Sequence, residues 1–146
     1  MLVFLGGQIF FASITMADNI QAKELTIAQI KITGDEFVVL HNNTGANIQL
    51  GNFWLQYFND FNILSQGLSN SSMQLPAVIL LPDQEILLSV GAAANCGQVW
   101  VSKLTFSLKD SAGLLQVVGI NQTNGFVSYK SEDQVSWSSK TTDIVD

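Results

Sequence analysis

The stretch Glu36–Tyr57, EFVVLHNNTGANIQLGNFWLQY, holds the clearest statement of fold in the chain. Phe37 to His41 is an apolar-rich run, and Asn42-Asn43-Thr44-Gly45 behind it is a turn, because Asn and Gly tolerate positive φ. Ile48 and Leu50 then alternate with polar neighbours, Gly51-Asn52 permits a bend or bulge, and Phe53 to Phe58 is a second run rich in large apolar side chains. Two such runs joined by turn residues predict strand, turn, short extended piece and strand. That is the seed of a β-sandwich.

Working outward, Leu25 to Ile32 (LTIAQIKI) alternates and predicts a first strand, turned by Thr33-Gly34-Asp35. Asn59 to Ser72 reads as a long connection that lays Phe61, Ile63, Leu64 and Leu68 over an edge or end of the sandwich. Met73 to Leu80 is extended, Leu81-Pro82-Asp83-Gln84 is a tight turn, and Glu85 to Val90 is a strand. Val99 to Leu108 predicts another strand, joined through Lys109–Gly113 as a hairpin loop to Leu114–Val118. Gly119 to Asn124 predicts a further turn, Phe126 to Tyr129 a late strand, and Ser131 onward a polar tail anchored by Val135 and Trp137. Beyond residue 17 no sustained 3.6-residue apolar period occurs, and roughly seven to nine short strands with turns every ~8–12 residues predict an all-β sandwich.

Composition bounds the chemistry. The 146 residues are one domain's worth, and 47% hydrophobic residues with nine Phe suffice for a real core. Charged residues make up only 12%, while Asn, Gln, Ser and Thr together number 45, a surface of amides and hydroxyls that suits an extracellular all-β domain. The net charge is −6 and no Arg stands among the six basic residues, which argues against nucleic acid and against an anionic membrane surface as partners. Cys96 is the only cysteine, so no disulfide forms within the chain and multi-cysteine zinc sites are excluded.

Residues 1–17, MLVFLGGQIFFASITMA, carry no charged side chain. They read as a signal peptide, with Thr15-Met16-Ala17 placing small residues at −3 and −1 of a cleavage site before Asp18. A membrane anchor and a first strand are the other readings, seventeen residues being at the short limit of ~17–25 for a spanning helix. The expected organisation is a signal peptide or membrane anchor at 1–17, a linker at 18–24, the sandwich domain at 25–140 and a polar tail at 141–146. The expected localisation is secreted or cell surface.

Several of these segments together resemble the lamin-tail domain, an immunoglobulin-like sandwich found in nuclear lamins and in many bacterial surface and secreted proteins. Glu36-Phe37-Val38-Val39-Leu40-His41-Asn42 is similar to the family's E-x-h-E-L-x-N strand, with Val39 for the second Glu. Leu50-Gly51-Asn52-Phe53-Trp54-Leu55 resembles L-x-G-W-x-L with Phe53 at the Trp position, and Leu80–Leu88 resembles L-x-P-G-x-x-h-h-h with Asp83 for Gly. Leu108-Lys109-Asp110-Ser111-Ala112-Gly113 matches an L-x-D-x-x-G hairpin. The family's N-x-G-D element and its T-P-G tail are missing. The resemblance spans about residues 25–140 and implies an immunoglobulin-like fold in a bacterial-type exported or surface protein.

No catalytic constellation emerges. His41 is the only histidine, on the strand face of Phe37 and Val39, and no G-x-S-x-G elbow accompanies it. The carboxylates pair as Asp35/Glu36, Asp83/Glu85 and Glu132/Asp133, in turns or near strand starts where solvated acids are common, and no D-x-D-x-D run offers a calcium site. No metal or cofactor is expected. Asn-x-Ser/Thr sequons stand at Asn42, Asn70 and Asn121.

The candidate binding patch is aromatic: Trp54, Tyr57, Phe58 and Phe61. Alternation puts Phe53, Leu55 and Tyr57 on one face of a strand and Trp54, Gln56 and Phe58 on the other, so one set is core and the other either a contact surface or covered. The expected function is a non-enzymatic exported or surface module mediating protein interaction or attachment. The alternatives are a carbohydrate-binding module using the aromatics near Trp54, or an accessory domain of a larger secreted hydrolase or nuclease.

Overall fold

A computed structural model describes residues 23–59, 69–91, 100–109 and 111–138. Among these residues the chain is almost wholly β, with no α-helix. The strands are β1 (Leu25–Lys31), β2 (Phe37–Asn42), β3 (Ile48–Gln49), β4 (Phe53–Phe58), β5 (Ser71–Gln74), β6 (Ile79–Leu80), β7 (Glu85–Ser89), β8 (Trp100–Lys103), β9 (Ala112–Thr123) and β10 (Phe126–Ser138). One sheet has the order β1-β2-β7-β8, a second the order β10-β9-β4-β5, and β3 pairs with β6 as a small third sheet. Residues 1–17, the predicted apolar cover Phe61, Ile63, Leu64 and Leu68, Cys96 and the 141–146 tail lie outside the described residues.

Both large sheets feed one hydrophobic cluster, an arrangement consistent with a β-sandwich. Val38 and Leu40 of β2, Ile86 and Leu88 of β7, Phe53, Leu55 and Tyr57 of β4, and Leu115 and Val117 of β9 all belong to it. Their period of two in each strand follows from the pleat, which sends alternate side chains to opposite faces. The register keeps the faces matched: Val38 lies opposite Leu88, Leu40 opposite Ile86, Leu55 opposite Val117 and Tyr57 opposite Leu115.

Asn42 is the polar exception at the inner end of β2. It is fully buried, and its Nδ2 donates to the carbonyls of Ala46 (2.8 Å), Leu81 (2.9 Å) and Leu80 (3.1 Å). Its Oδ1 accepts from the backbone N–H (2.9 Å) and the hydroxyl (2.7 Å) of Thr44. One amide therefore ties the 42–47 turn to the turn before β7. In the latter turn Asp83 holds φ +60°, the left-handed region that its glycine-like position demands. The sequon at Asn42 consequently offers no free amide nitrogen for glycosylation.

Two connections differ from the sequence reading. The predicted strand Val99–Leu108 ends early: β8 stops at Lys103 and runs parallel to β7 in the first sheet, whereas β9 belongs to the second. Strands β8 and β9 thus lie in different sheets and form no hairpin, and residues 104–109 lead out of the first sheet. Polar groups hold this segment: Leu104 N–H donates to Ser89 O (2.8 Å), Leu108 N–H to Glu36 Oε2 (2.7 Å), and Lys109 N–H to the Tyr57 hydroxyl (2.9 Å). Leu104 and Leu108 meanwhile fill the core. Trp137 Nε1–H donates to Lys109 O at 2.7 Å, and its ring lies parallel to that of Tyr57 with centroids 6.0 Å apart.

The predicted turn at 119–124 is strand as far as Thr123, and the polar tail is strand from Ser131 to Ser138. β9 and β10 pair from Ala112↔Ser138 to Thr123↔Phe126 with one register shift between Ser131 and Asp133, and the reversal is the two-residue turn Asn124-Gly125 with φ of 53° and 80°. Positive φ at both central residues is what a type I′ hairpin requires. Gly119 sits inside β9 because a Cβ there would lie 3.2 Å from Glu132 Oε1 and 3.4 Å from the Phe53 ring.

The edges of the sheets, β1 and β10, meet through side chains. Asp133 Oδ2 accepts the Ile27 N–H (2.8 Å), Glu132 Oε2 accepts the Glu24 N–H (3.1 Å), and Lys23 Nζ pairs with Asp133 Oδ1. Both strands are irregular at this contact, β1 between Ile27 and Gln29 and β10 between Ser131 and Asp133. Such bulges re-aim side chains, and here the bulge brings Glu132 inward, buried, with Lys130 Nζ 2.9 Å from its Oε1.

Candidate functional site

The aromatic patch divides as the pleat divides β4. Tyr57 is a core residue, 4% exposed, its ring nearly parallel to those of Phe106 and Trp137 with centroids 5.9 and 6.0 Å away. Phe58 lies on the opposite face yet is only 3% exposed, outside the main cluster, and Leu114 paired with it across β9 is buried as well. Neither ring offers surface to a ligand. Phe61 lies outside the described residues. Trp54, half-buried, is the member of the patch that reaches an open surface.

That surface is the outer face of the second sheet. A groove of about 640 Å³ is lined by Trp54, Gln56, Ser72, Gln116, Val118, Ile120, Tyr129 and Ser131. Cross-strand register builds it. Trp54 lies beside Val118 on β9, Val118 lies beside Ser131 on β10, and Ile120 lies beside Tyr129. Tyr129 therefore stands two strands across and two residues along from Trp54, roughly 12 Å between backbones at the usual strand spacing and rise, with Val118 and Ile120 between them as a floor. Gln116 Nε2 donates to Ser131 Oγ at 2.7 Å, which fixes one side of the groove.

Two properties set the groove's chemistry. No lining side chain is charged. Trp54 Nε1 is buried and has no hydrogen-bond acceptor, an unusual state for an indole N–H, since an unmade buried hydrogen bond costs about 1–3 kcal/mol. A second depression of about 420 Å³ adjoins the first at Ile120, lined by Gly51, Asn52, Gln74, Asn121 and Gln122, again without a charge.

Beyond the groove the β9–β10 ribbon projects. Every residue from Asn121 to Tyr129 is exposed, including Phe126 at 79%, Tyr129 at 70% and Val127 at 52%. Sequence reasoning missed Tyr129, Gln116 and Phe126 as site residues. The pair Asn124-Gly125 was the available signal: taken as a two-residue hairpin turn, it sets the pairing of β9 with β10 and puts Tyr129 on Trp54's face.

The titratable candidates remain scattered. His41 is half-buried on the outer face of the first sheet, its Nε2 4.0 Å from Asp83 Oδ1, a carboxylate 91% exposed. Glu36 serves the 104–109 segment, and Glu132 and Asp133 serve the β1 edge. Burial alone would push the Asp133 carboxyl up; the hydrogen bonds from Lys23 Nζ and from the backbone N–H groups of Ile27 and Gln134, with the Lys23 charge, outweigh it and hold the group below the usual carboxylate range. Among the described residues no three His, Cys, Asp or Glu side chains gather to hold a metal ion, and no helix is long and apolar enough to cross a membrane.

No protein-family model matches the chain, and no curated protein matches it.

Proposed function

We propose that the chain is a non-enzymatic attachment module, exported or displayed at the cell surface, built on an immunoglobulin-like sandwich of the lamin-tail type and docking onto another protein through its β9–β10 ribbon. The observation that carries this reading is the apolar tip of that ribbon, Phe126, Val127 and Tyr129, standing in solvent beyond the core. Exposed aromatic residues grouped on one projection are costly for solubility unless a partner covers them. In the described sheet β10 is an edge strand, so over the tip its backbone can also accept an added strand from a partner. A protein suits the tip better than a membrane, because the net charge is −6 and Lys130, the nearest cation, is already paired with Glu132.

Export is supported by the apolar, uncharged residues 1–17, and the immunoglobulin-like reading by the two open four-stranded sheets around one core. Non-enzymatic action is the reading that suits a groove whose polar groups are amides, hydroxyls and one indole. The experiment is retention of the labelled full chain on intact cells that produce it. Phe126→Ser with Val127→Thr should abolish retention while leaving the thermal midpoint unchanged, and protease treatment of the cells should abolish retention of the wild type. Retention that survives both would refute protein docking through the ribbon.

A further inference from the structure

The groove between Trp54 and Tyr129 is a separate surface from the hairpin tip, and its chemistry is different. We propose that it binds an uncharged polysaccharide chain. A pyranose ring presents an apolar C–H face and a rim of hydroxyls, each both donor and acceptor. The groove offers the complement of both: two aromatic residues set diagonally across β9, their backbones roughly 12 Å apart, over the apolar floor of Val118 and Ile120. At its rim stand Gln56, Ser72, Gln116 and Ser131, amides and hydroxyls that likewise donate and accept.

Three observations narrow the ligand. The absence of charge from the lining of both depressions gives an anionic sugar no counter-charge, and the net charge of −6 repels it. The ligand is therefore neutral. The second depression continues the first past Ile120 with Asn52, Asn121 and Gln122 on its walls, so the surface follows an extended chain over more than one ring. The unpaired Trp54 N–H adds a donor: turning the indole toward a sugar hydroxyl breaks no existing hydrogen bond.

The inference does not depend on protein docking by the hairpin. Tyr129 belongs to both surfaces, whereas Trp54 belongs to the groove alone and Phe126 to the tip alone, so single variants separate the two. The test is isothermal titration of the full chain with neutral hexasaccharides of β-1,4-glucose, β-1,4-mannose, β-1,4-xylose, β-1,3-glucose and β-1,4-N-acetylglucosamine, with hexagalacturonate as the anionic control. At least one neutral chain should bind and hexagalacturonate should not. Trp54→Ala and Tyr129→Ala should each weaken that binding about tenfold or more, the loss of one good aromatic contact, and Phe126→Ser should leave it unchanged. Tyr129 is 70% exposed, so its truncation spares the core and keeps the test valid even where Trp54→Ala is destabilised. Silence of the whole neutral panel, equal binding of hexagalacturonate, or binding indifferent to Tyr129→Ala would each overturn the proposal.

Discussion

The Asp133 carboxylate on β10 accepts a hydrogen bond from the Ile27 backbone N–H on β1 at 2.8 Å, joining the edge of one sheet to the edge of the other. The two strands share no backbone ladder, so this contact, the Glu24–Glu132 hydrogen bond and the Lys23 ion pair are the polar groups that hold the sandwich shut on this side.

A pH dependence follows. The folded carboxyl of Asp133 is held below its ordinary value, so its contribution is fully present above the unfolded value of about 3.9 and is lost as pH falls through the folded one. Asp133→Asn keeps an oxygen for Ile27 but loses the pairing with Lys23. Urea unfolding should show wild type more stable than D133N at pH 7, with the gap narrowing as pH falls below the unfolded value of about 3.9. A gap independent of pH would contradict this role.

Gly113 lies against Trp137, and a Cβ placed on it would fall 2.4 Å from the ring's Cζ2. Gly113→Ala must displace an indole that stacks on Tyr57 and bonds Lys109 O. The expected cost is about 1–3 kcal/mol, as for overpacking elsewhere, with loss of near-UV circular dichroism from the stacked rings. An unchanged near-UV spectrum would argue against the stack.

Asn42→Ala removes the donor for three carbonyls and the acceptor for Thr44. Leaving several buried groups unpaired should cost about 2–4 kcal/mol, read as a lower urea midpoint. Asn42→Asp should be at least as damaging, since a carboxylate would face the same carbonyl oxygens. Tolerance of either substitution would mean that the turns are held by other contacts.

Asp83, at φ +60° and 91% exposed, tests the turn before β7. Asp83→Gly should lie within about 1 kcal/mol of wild type, because relief of the left-handed strain is offset by glycine's greater unfolded entropy. Asp83→Val should lose about 1–2 kcal/mol, the cost of a β-branched residue in that region. Equal thermal midpoints for the two variants would contradict the strain assignment.

These positions also explain what could be read in advance. The runs around β2, β4 and β7 each bury one face, so their composition declares them, and Asn42, Gly34 and Asp83 mark their turns. β10 was hidden by its bulge: Glu132 shifts the alternation, so Lys130 above it and Val135 and Trp137 below share a face without a continuous period of two. Gly119 looked like a turn residue, yet its glycine answers to the close approach of Phe53 and Glu132. β8 resembled the start of a hairpin because a parallel neighbour leaves no local trace in sequence. Of the site, alternation in β4 separated Trp54 from Phe53, Leu55 and Tyr57, but which face is core is decided by the sheet packing. The burial of Phe58 opposite Leu114, and the meeting of Trp54 with Tyr129 across β9, depend on pairings between segments far apart in the chain.

Docking of a partner on the proposed β9–β10 ribbon would leave a positional signature. Photo-crosslinking tests it most directly, with benzoylphenylalanine placed at Phe126 and, as a control, at Val101 on the outer face of the first sheet, in cells that produce the full chain. Val101 is 37% exposed, so both probes reach solvent. A covalent adduct is expected from position 126 and none from position 101. An adduct from position 101 with none from position 126 would contradict it.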